Sequence, residues 1–376
     1  MALTKYKLGN LIELSDERNS ELQYGINDVK GISIQKVFIE TKADMTGVSL
    51  KPYILVKPDY FAYVTVTSRN GEKITISHND TDSTYIVSSS YIVFKVKLNE
   101  LLLSDYLFMY FIRPEFDRYS RFNSWGSARE TFSWEDMCDI EIYLPPLSVQ
   151  QKYVDIYNAM LENQRCYERG LEDLKLVCDA YIEDLRRTYK SESIGKYLIR
   201  HDVRNGANGT KNVMGISTAK EFREPTSKVN KDELSNYKVV KPRQIGFVQT
   251  THNEKVFAYA FNNTNNDIVI SSVNEVFSTD ENYLLPEYLS MFFSRKEFDR
   301  YARFHSWGSA RETFTWDDLQ LVEIPIVDIS LQRAISNIYK VYRQRTEINK
   351  RLKEQIKKMC PVLIKGALEE GEKYDI

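Results

Sequence analysis

The chain has 376 residues and a mass of 44.0 kDa, enough for two or three domains with real cores. Its 28% charged and 42% hydrophobic residues exclude wholesale disorder. Fifty-three acids against 51 bases leave a net charge of -2, which disfavours a free-standing, strongly basic nucleic-acid binder but not a locally basic face.

The segment Met1–Leu8 lacks the apolar core of a signal peptide, and no stretch approaches the roughly 20 apolar residues of a membrane span. Tyr60–Thr67 and Glu72–Ser77 are rich in Tyr, Val, Thr and Ile and flank Arg69-Asn70-Gly71, so they predict a β-hairpin. Ser83–Val96 is also strand-like, and Leu103–Phe116 predicts a short amphipathic helix. Pro145-Pro146 end a further strand, and Ser148 is the expected N-cap of a long helix. Along that helix Tyr153, Ile156, Met160, Asn163, Tyr167, Gly170, Leu174, Val177 and Tyr181 recur three and four apart, the spacing of a coiled-coil seam.

The same order then returns. Strands are expected at Ile245–Thr251 and Val256–Phe261, and a short helix at Leu285–Phe298. Ser330 is the expected N-cap of a second long helix, whose seam is Ile335, Ile338, Tyr342, Arg345, Asn349, Leu352, Ile356 and Met359. Each helix would run about 40 residues, roughly 60 Å at about 1.5 Å per residue. Neither can bury its stripe alone, so the two should pack on each other, antiparallel because a globular unit joins them.

Duplication is explicit in the residues. Phe116–Trp134 reappears 182 positions later as Phe298–Trp316, and only Ser120/Ala302, Asn123/His305 and Ser133/Thr315 differ among nineteen positions. Weaker echoes flank it, including Gly31-Ile32-Ser33 with Gly215-Ile216-Ser217 and Ser148-Val149-Gln150 with Ser330-Leu331-Gln332. The expected fold is α/β (α+β): two tandem similar domains separated by a long antiparallel two-helix coiled coil, with pseudo-two-fold symmetry. The expected boundaries are a first domain at 1–147, a first helix at 148–190, a second domain at 191–328, and a second helix with its tail at 329–376.

Motifs for catalysis are missing from the sequence. There is no GxxxxGK[ST], no GxGxxG after a strand and no nucleophile elbow. Leu-Pro-Pro-Leu lacks the polar and aromatic neighbours with which adenine methylases hold a base. Cys138, Cys166, Cys178 and Cys360 form no CxxC pair, and His78, His201, His252 and His305 have no metal-ligand spacing with them. A non-catalytic chain without metal or cofactor, in a reduced cytoplasmic setting with buried or half-buried thiols, is expected.

The sequence resembles the specificity subunit of type I restriction–modification enzymes. The resemblance rests on Gly126-Ser127, Ile140-Glu141-Ile142-Tyr143-Leu144-Pro145-Pro146-Leu147 and Gln150-Gln151, which match the line that precedes each spacer helix in that family. The second copy, Gly308-Ser309, Val322-Glu323-Ile324-Pro325-Ile326 and Gln332, is more divergent, with Val327-Asp328-Ile329 in place of the second proline. The resemblance implies two target recognition domains, each reading half of a bipartite double-stranded DNA site, and spacer helices that dock two methylase subunits. It also implies S-adenosylmethionine in those methylases, which modify adenine, and ATP with Mg in restriction subunits that translocate and cut DNA.

Base edges call for side chains with paired donors and acceptors. The candidates are Ser68, Arg69, Asn70, Lys73, His78 and Asn79 in the first copy, and Thr250, Thr251, His252, Asn253 and Lys255 in the second. Lys211, Asn212, Lys220 and Arg223 follow as second choices. These segments differ between copies, as two distinct half-sites require. Ser127, Arg129, Ser309 and Arg311 lie in the repeated segment, which cannot encode two different sequences; they are candidates for the DNA backbone or for domain or subunit docking. Trp125, Phe132, Trp134, Trp307, Phe314 and Trp316 read as packing anchors. A two-headed DNA-binding regulator or decoy without a methylase, and a scaffold that binds no nucleic acid, are the rival readings. Charge is uneven: residues 1–79 sum to +1, 80–147 to -5, 196–255 to +6 and 256–328 to -7.

Overall fold

The structure is a computed structural model that describes residues 3–67, 73–127, 129–206, 209–226, 228–230, 233–250, 256–308 and 311–373. It divides into two compact units, one of residues 1–166 with 349–376 and the other of residues 167–348.

In the first unit the strands are β1 (Thr4–Lys7), β2 (Ile12–Leu14), β3 (Lys30–Ile32), β4 (Phe38–Glu40), β5 (Ile54–Val56), β6 (Phe61–Val64), β7 (Ile76–His78), β8 (Tyr85–Val87) and β9 (Tyr91–Val96). Helices α1 (Ser104–Ile112), α2 (Pro114–Phe122) and α3 (Trp134–Cys138) follow, then β10 (Glu141–Leu144) and the long α4 (Leu147–Thr188), of which residues up to 166 belong to this unit. A four-stranded sheet in the order β2-β9-β6-β7 carries the core, with β3-β4, β5-β8 and β1-β10 as smaller antiparallel pairs.

The second unit repeats the plan with β11 (Ser191–Ser193), β12 (Leu198–His201), β13 (Gly215–Ile216), β14 (Phe222–Arg223), β15 (Lys238–Val240), β16 (Ile245–Phe247), β17 (Tyr259–Phe261), β18 (Ile268–Ile270) and β19 (Glu275–Thr279). Helices α5 (Pro286–Ser294), α6 (Lys296–Phe304) and α7 (Trp316–Gln320) precede β20 (Glu323–Pro325) and the long α8 (Ile329–Glu372), of which residues up to 348 belong to this unit. Its sheet order, β12-β19-β16-β17, is the first unit's order shifted to the second copy.

The short helix expected at Leu103–Phe116 is two helices, because Arg113 turns extended (ψ 143) ahead of Pro114. Arg295 makes the same break (ψ 148) without a following proline, so the break also suits the packing of the two helices. Ser148 and Ser330 lie inside the first turn rather than at the cap. In α8 the Asp328 carboxylate accepts the Ser330 backbone N–H at 2.7 Å and takes the capping role. In α4 the Pro146 carbonyl accepts from Val149 and Gln150.

Each helix start is tied to its own sheet domain by a fully buried glutamine. Gln150 accepts from the Leu103 N–H (3.0 Å) and donates to the carbonyls of Leu101 (2.8 Å) and Pro145 (2.9 Å). Gln332 accepts from Leu285 and donates to Tyr283 and Val327 in the same way.

The long helices meet within both units. In the first, Lys152 and Tyr153 bond Glu370, and Gln164 donates to Asn349 at 3.1 Å; rising numbers on α4 meet falling numbers on α8, so the pair is antiparallel. Ile356, Cys360, Leu363, Ile364 and Ala367 of α8 enter the core formed by the first sheet and α1, where each large side chain contributes roughly 1.5–3 kcal/mol of burial. In the second unit Gly170 of α4 faces Arg345 of α8, and Ile182, Leu185 and Ile335 share one core.

The α8 stripe lies as expected except that Arg345 is exposed. The α4 stripe is rotated: Ile156, Val177 and Tyr181 are exposed, while Val154, Tyr157, Gln164, Cys178 and Ile182 are buried. Gln164, not Asn163, is the polar seam residue. The apolar residues of α4 span two adjacent stripes, and only the packing partner selects between them. All four cysteines are free; Cys166 is exposed, contrary to the expected burial, because it sits on the outer face of α4.

Candidate nucleic-acid interface

The expected hairpin exists. β6 pairs with β7 in the register Phe61↔His78, Ala62↔Ser77 and Tyr63↔Ile76. Its tip, with Ser68, Arg69 and Asn70, lies outside the described residues, and so do Thr251, His252, Asn253, Lys255 and Ser309. Lys73 is exposed at the β7 side of the tip. Thr250 is half-buried at the corresponding place in the second unit, where it pairs with Thr313.

Several candidates spend their polar groups inside the fold. Asn79 is buried; its amide donates to Val56 O (3.0 Å) and Ser83 O (2.8 Å) while its carbonyl holds the Thr81 hydroxyl (2.7 Å). Asn262 repeats this set with Val240, Asn266 and Thr264. Asn79 is therefore the brace of a turn common to both units. His78 stacks on Phe61 with its ring buried, 3.6 Å from an Asp59 oxygen and 3.4 Å from an Asp105 oxygen. Burial pulls its pKa below the ordinary value against the pull of those carboxylates.

Lys220 is also internal. Its ammonium lies 2.7 Å from Asp299 and donates to the Phe293 carbonyl at 2.6 Å, with the side chain only 9% exposed. Lys36 does the same with Asp117 and Phe111. Both lysines adopt positive φ, 62° each, and burial lowers both pKa values. Asn212 is half-buried and donates to Asp267 O, whereas Lys211 and Arg223 stay exposed. His78, Asn79 and Lys220 spend their polar groups on the fold in this conformation; among the other described candidates Lys73, Lys211 and Arg223 are exposed, and Thr250 and Asn212 are half-buried.

The repeated segment forms a small hairpin laid against the first. Trp125 and Thr131 exchange backbone bonds (3.0 and 3.1 Å), Thr67 N–H donates to Glu130 O, and Phe132 N–H donates to Thr65 O. Trp307 with Thr313, and Phe314 with Gln249, repeat the arrangement. Gly126 (φ 142°) and Gly308 (φ 137°) make the turn; a Cβ there would overlap the carbonyl of Arg129 or Arg311.

Phe132 and Phe314 are fully buried, and Trp134 and Trp316 lean on Phe94 and Phe277, so these four anchor the segment as expected. Trp125 and Trp307 do not; they are 67% and 71% exposed. Phe122 and Phe304, absent from the sequence-level candidates, are each 78% exposed. Their signal was present, since position 122 falls about 240° around α2 from buried Phe116. Ser127, Arg129 and Arg311 are exposed beside them.

Among the described residues no group of His, Cys, Asp and Glu is placed to hold a metal ion, and no helix is long and apolar enough to cross a membrane.

Residues 4–167 match the family model for the type I restriction modification DNA specificity domain. That match covers the sheet domain of the first unit and the first half of α4. Its fold is similar to the S subunit of a type I system from M. genitalium, with TM-score 0.61 and 11% identity over 97% of this chain and 96% of that one. The HsdS subunit from Thermoanaerobacter tengcongensis matches at TM-score 0.39 and 14% identity, over 98% of this chain and 96% of that one. No curated protein matches in sequence. Each unit thus sets a hairpin whose tip sequence differs between the copies beside a segment that hardly differs. The glutamines Gln150 and Gln332, in the first turns of α4 and α8, lock each helix to the domain before it.

Proposed function

We propose that each unit reads one half of a bipartite DNA site and that α4 and α8 are the spacers that set the distance between halves and dock two methylase subunits. The recognition domains are residues 1–147 and 191–328, with spacers at 148–190 and 329–376. This chain contributes no catalytic group. Methylation of adenine from S-adenosylmethionine belongs to the methylase subunits, and ATP- and Mg-dependent translocation and cleavage belong to restriction subunits, all in the cytoplasm.

The observation that carries this reading is the repeated pairing of a hairpin whose tip sequence differs between copies with a loop that hardly differs at all. Two different half-sites need different reading residues on a common frame. The reading residues proposed are Ser68, Arg69, Asn70 and Lys73 in one unit, with Thr250, Thr251, His252, Asn253 and Lys255 in the other, supported by Lys211 and Arg223. Mapping methylated adenines in the host genome should give a split motif. Arg69→Ala should relax one half of that motif and leave the other intact. An unsplit motif, or no methylation dependent on this chain, overturns the reading.

A further inference from the structure

Phe122 and Trp125, and their copies Phe304 and Trp307, leave most of their side chains exposed. Two large aromatics per unit stand 67–78% exposed at the end of α2 or α6, where folding alone would favour polar residues. Each tryptophan precedes a glycine whose conformation is closed to other residues, and Thr131 or Thr313 pairs with the strand that leads to or from the variable tip.

Arginines lie close to these aromatics in the chain. Arg118 sits one helical turn before Phe122, Arg121 pairs with Glu130 across the small hairpin, and Arg129 is exposed in the turn. Arg300, Arg303 and Arg311 occupy the same places in the second unit. The carboxylates beside them, Glu115 and Glu130 or Glu297 and Glu312, leave one arginine in excess at each corner, while the surrounding segments 80–147 and 256–328 sum to -5 and -7. Positive charge is thus kept at this corner against the local trend.

We propose that the two corners are sequence-independent clamps for duplex DNA: Arg129 and Arg311 take phosphates while Phe122/Trp125 and Phe304/Trp307 press on the sugar faces beside each half-site. This rests on the reading that the chain binds split DNA. The ligand must be the same at two different half-sites, because the corners are nearly identical; the sugar–phosphate backbone is the part of DNA that does not change with sequence. The bridges Val66–Thr131 and Thr250–Thr313 hold each clamp beside a strand that continues into the variable segment. Exposed ion pairs such as Arg118–Glu115 are weak enough to exchange their partner for a phosphate.

The test uses the full chain isolated from its host with its accompanying subunits, and two duplexes of equal length, one with the methylated split motif and one scrambled. The wild-type complex should prefer the first; if it shows no preference, the parent reading fails and the clamp is not the cause. Given that preference, Phe122→Ala/Trp125→Ala should weaken both duplexes roughly tenfold and leave the salt slope unchanged. Arg129→Ala should weaken both and flatten the slope by about one ion. Subunit content and thermal unfolding should match wild type. Unchanged affinity in both variants overturns the clamp, and loss of a methylase subunit from either overturns it in favour of a protein-docking surface.

Discussion

Replacing Lys220 with methionine tests whether this residue holds the fold or reads DNA. The substitution removes an ammonium 2.7 Å from Asp299 and 2.6 Å from the Phe293 carbonyl, and strands a carboxylate that is 16% exposed. Taking one partner from a buried pair costs about 3–5 kcal/mol. Asp299 keeps the Phe257 N–H at 3.1 Å, so the lower end, about 3 kcal/mol, is expected. For a unit of roughly 180 residues, that moves its thermal transition down by about 6–12 °C. Lys220→Met/Asp299→Leu removes the stranded charge but orphans the Phe257 N–H, at about 1–3 kcal/mol, so about half the loss should return. Calorimetry of the full chain, with hydrogen exchange at unit-two amides, reads both values. Lys36→Met should destabilise the first unit equally, and no variant should change the methylation motif. A Lys220→Met protein within about 1 kcal/mol of wild type that alters one half-site would show that Lys220 reads DNA instead of holding the fold.

Two further outcomes follow from buried polar groups. Burial holds His78 below the ordinary pKa of 6.5. As pH falls through that value the unfolded chain takes up a proton that the folded chain resists, so this contribution is complete above about 6.5 and is lost on acidification. His78→Phe, copying Phe261 of the second unit, should flatten the stability curve of unit one between about pH 7.5 and 5; parallel curves would exclude the mechanism. Asn349→Leu leaves the Gln164 amide without its seam partner and should cost about 1–3 kcal/mol by denaturant unfolding, whereas adding Gln164→Leu should recover it. No recovery would mean that the pair does not act as a unit.

Repetition made most of this architecture legible in the residues. Three differences in nineteen positions announce two similar units, and a seam of three- and four-residue steps announces two long helices, because a stripe of that period is buried only along a helix axis. The β6–β7 pairing was legible from its β-branched runs, while the expected Asn-Gly turn lies outside the described residues. The break at Arg113, the rotation of the α4 stripe and the cap at Asp328 were not, because each is chosen by what packs against it.

The candidate interface divides along the same line. Sequence by itself determined that one segment is constant and another variable, since that needs only two aligned copies. Whether a lysine or histidine is free for DNA depends on partners far away in the chain: Asp299 for Lys220, Asp105 for His78. Composition treats Trp125 and Trp134 alike as packing anchors, yet tertiary structure buries part of one against Phe94 and leaves the other 67% exposed. A side chain's type sets what it can bind; its burial, which only the folded chain decides, sets whether that capacity is already spent.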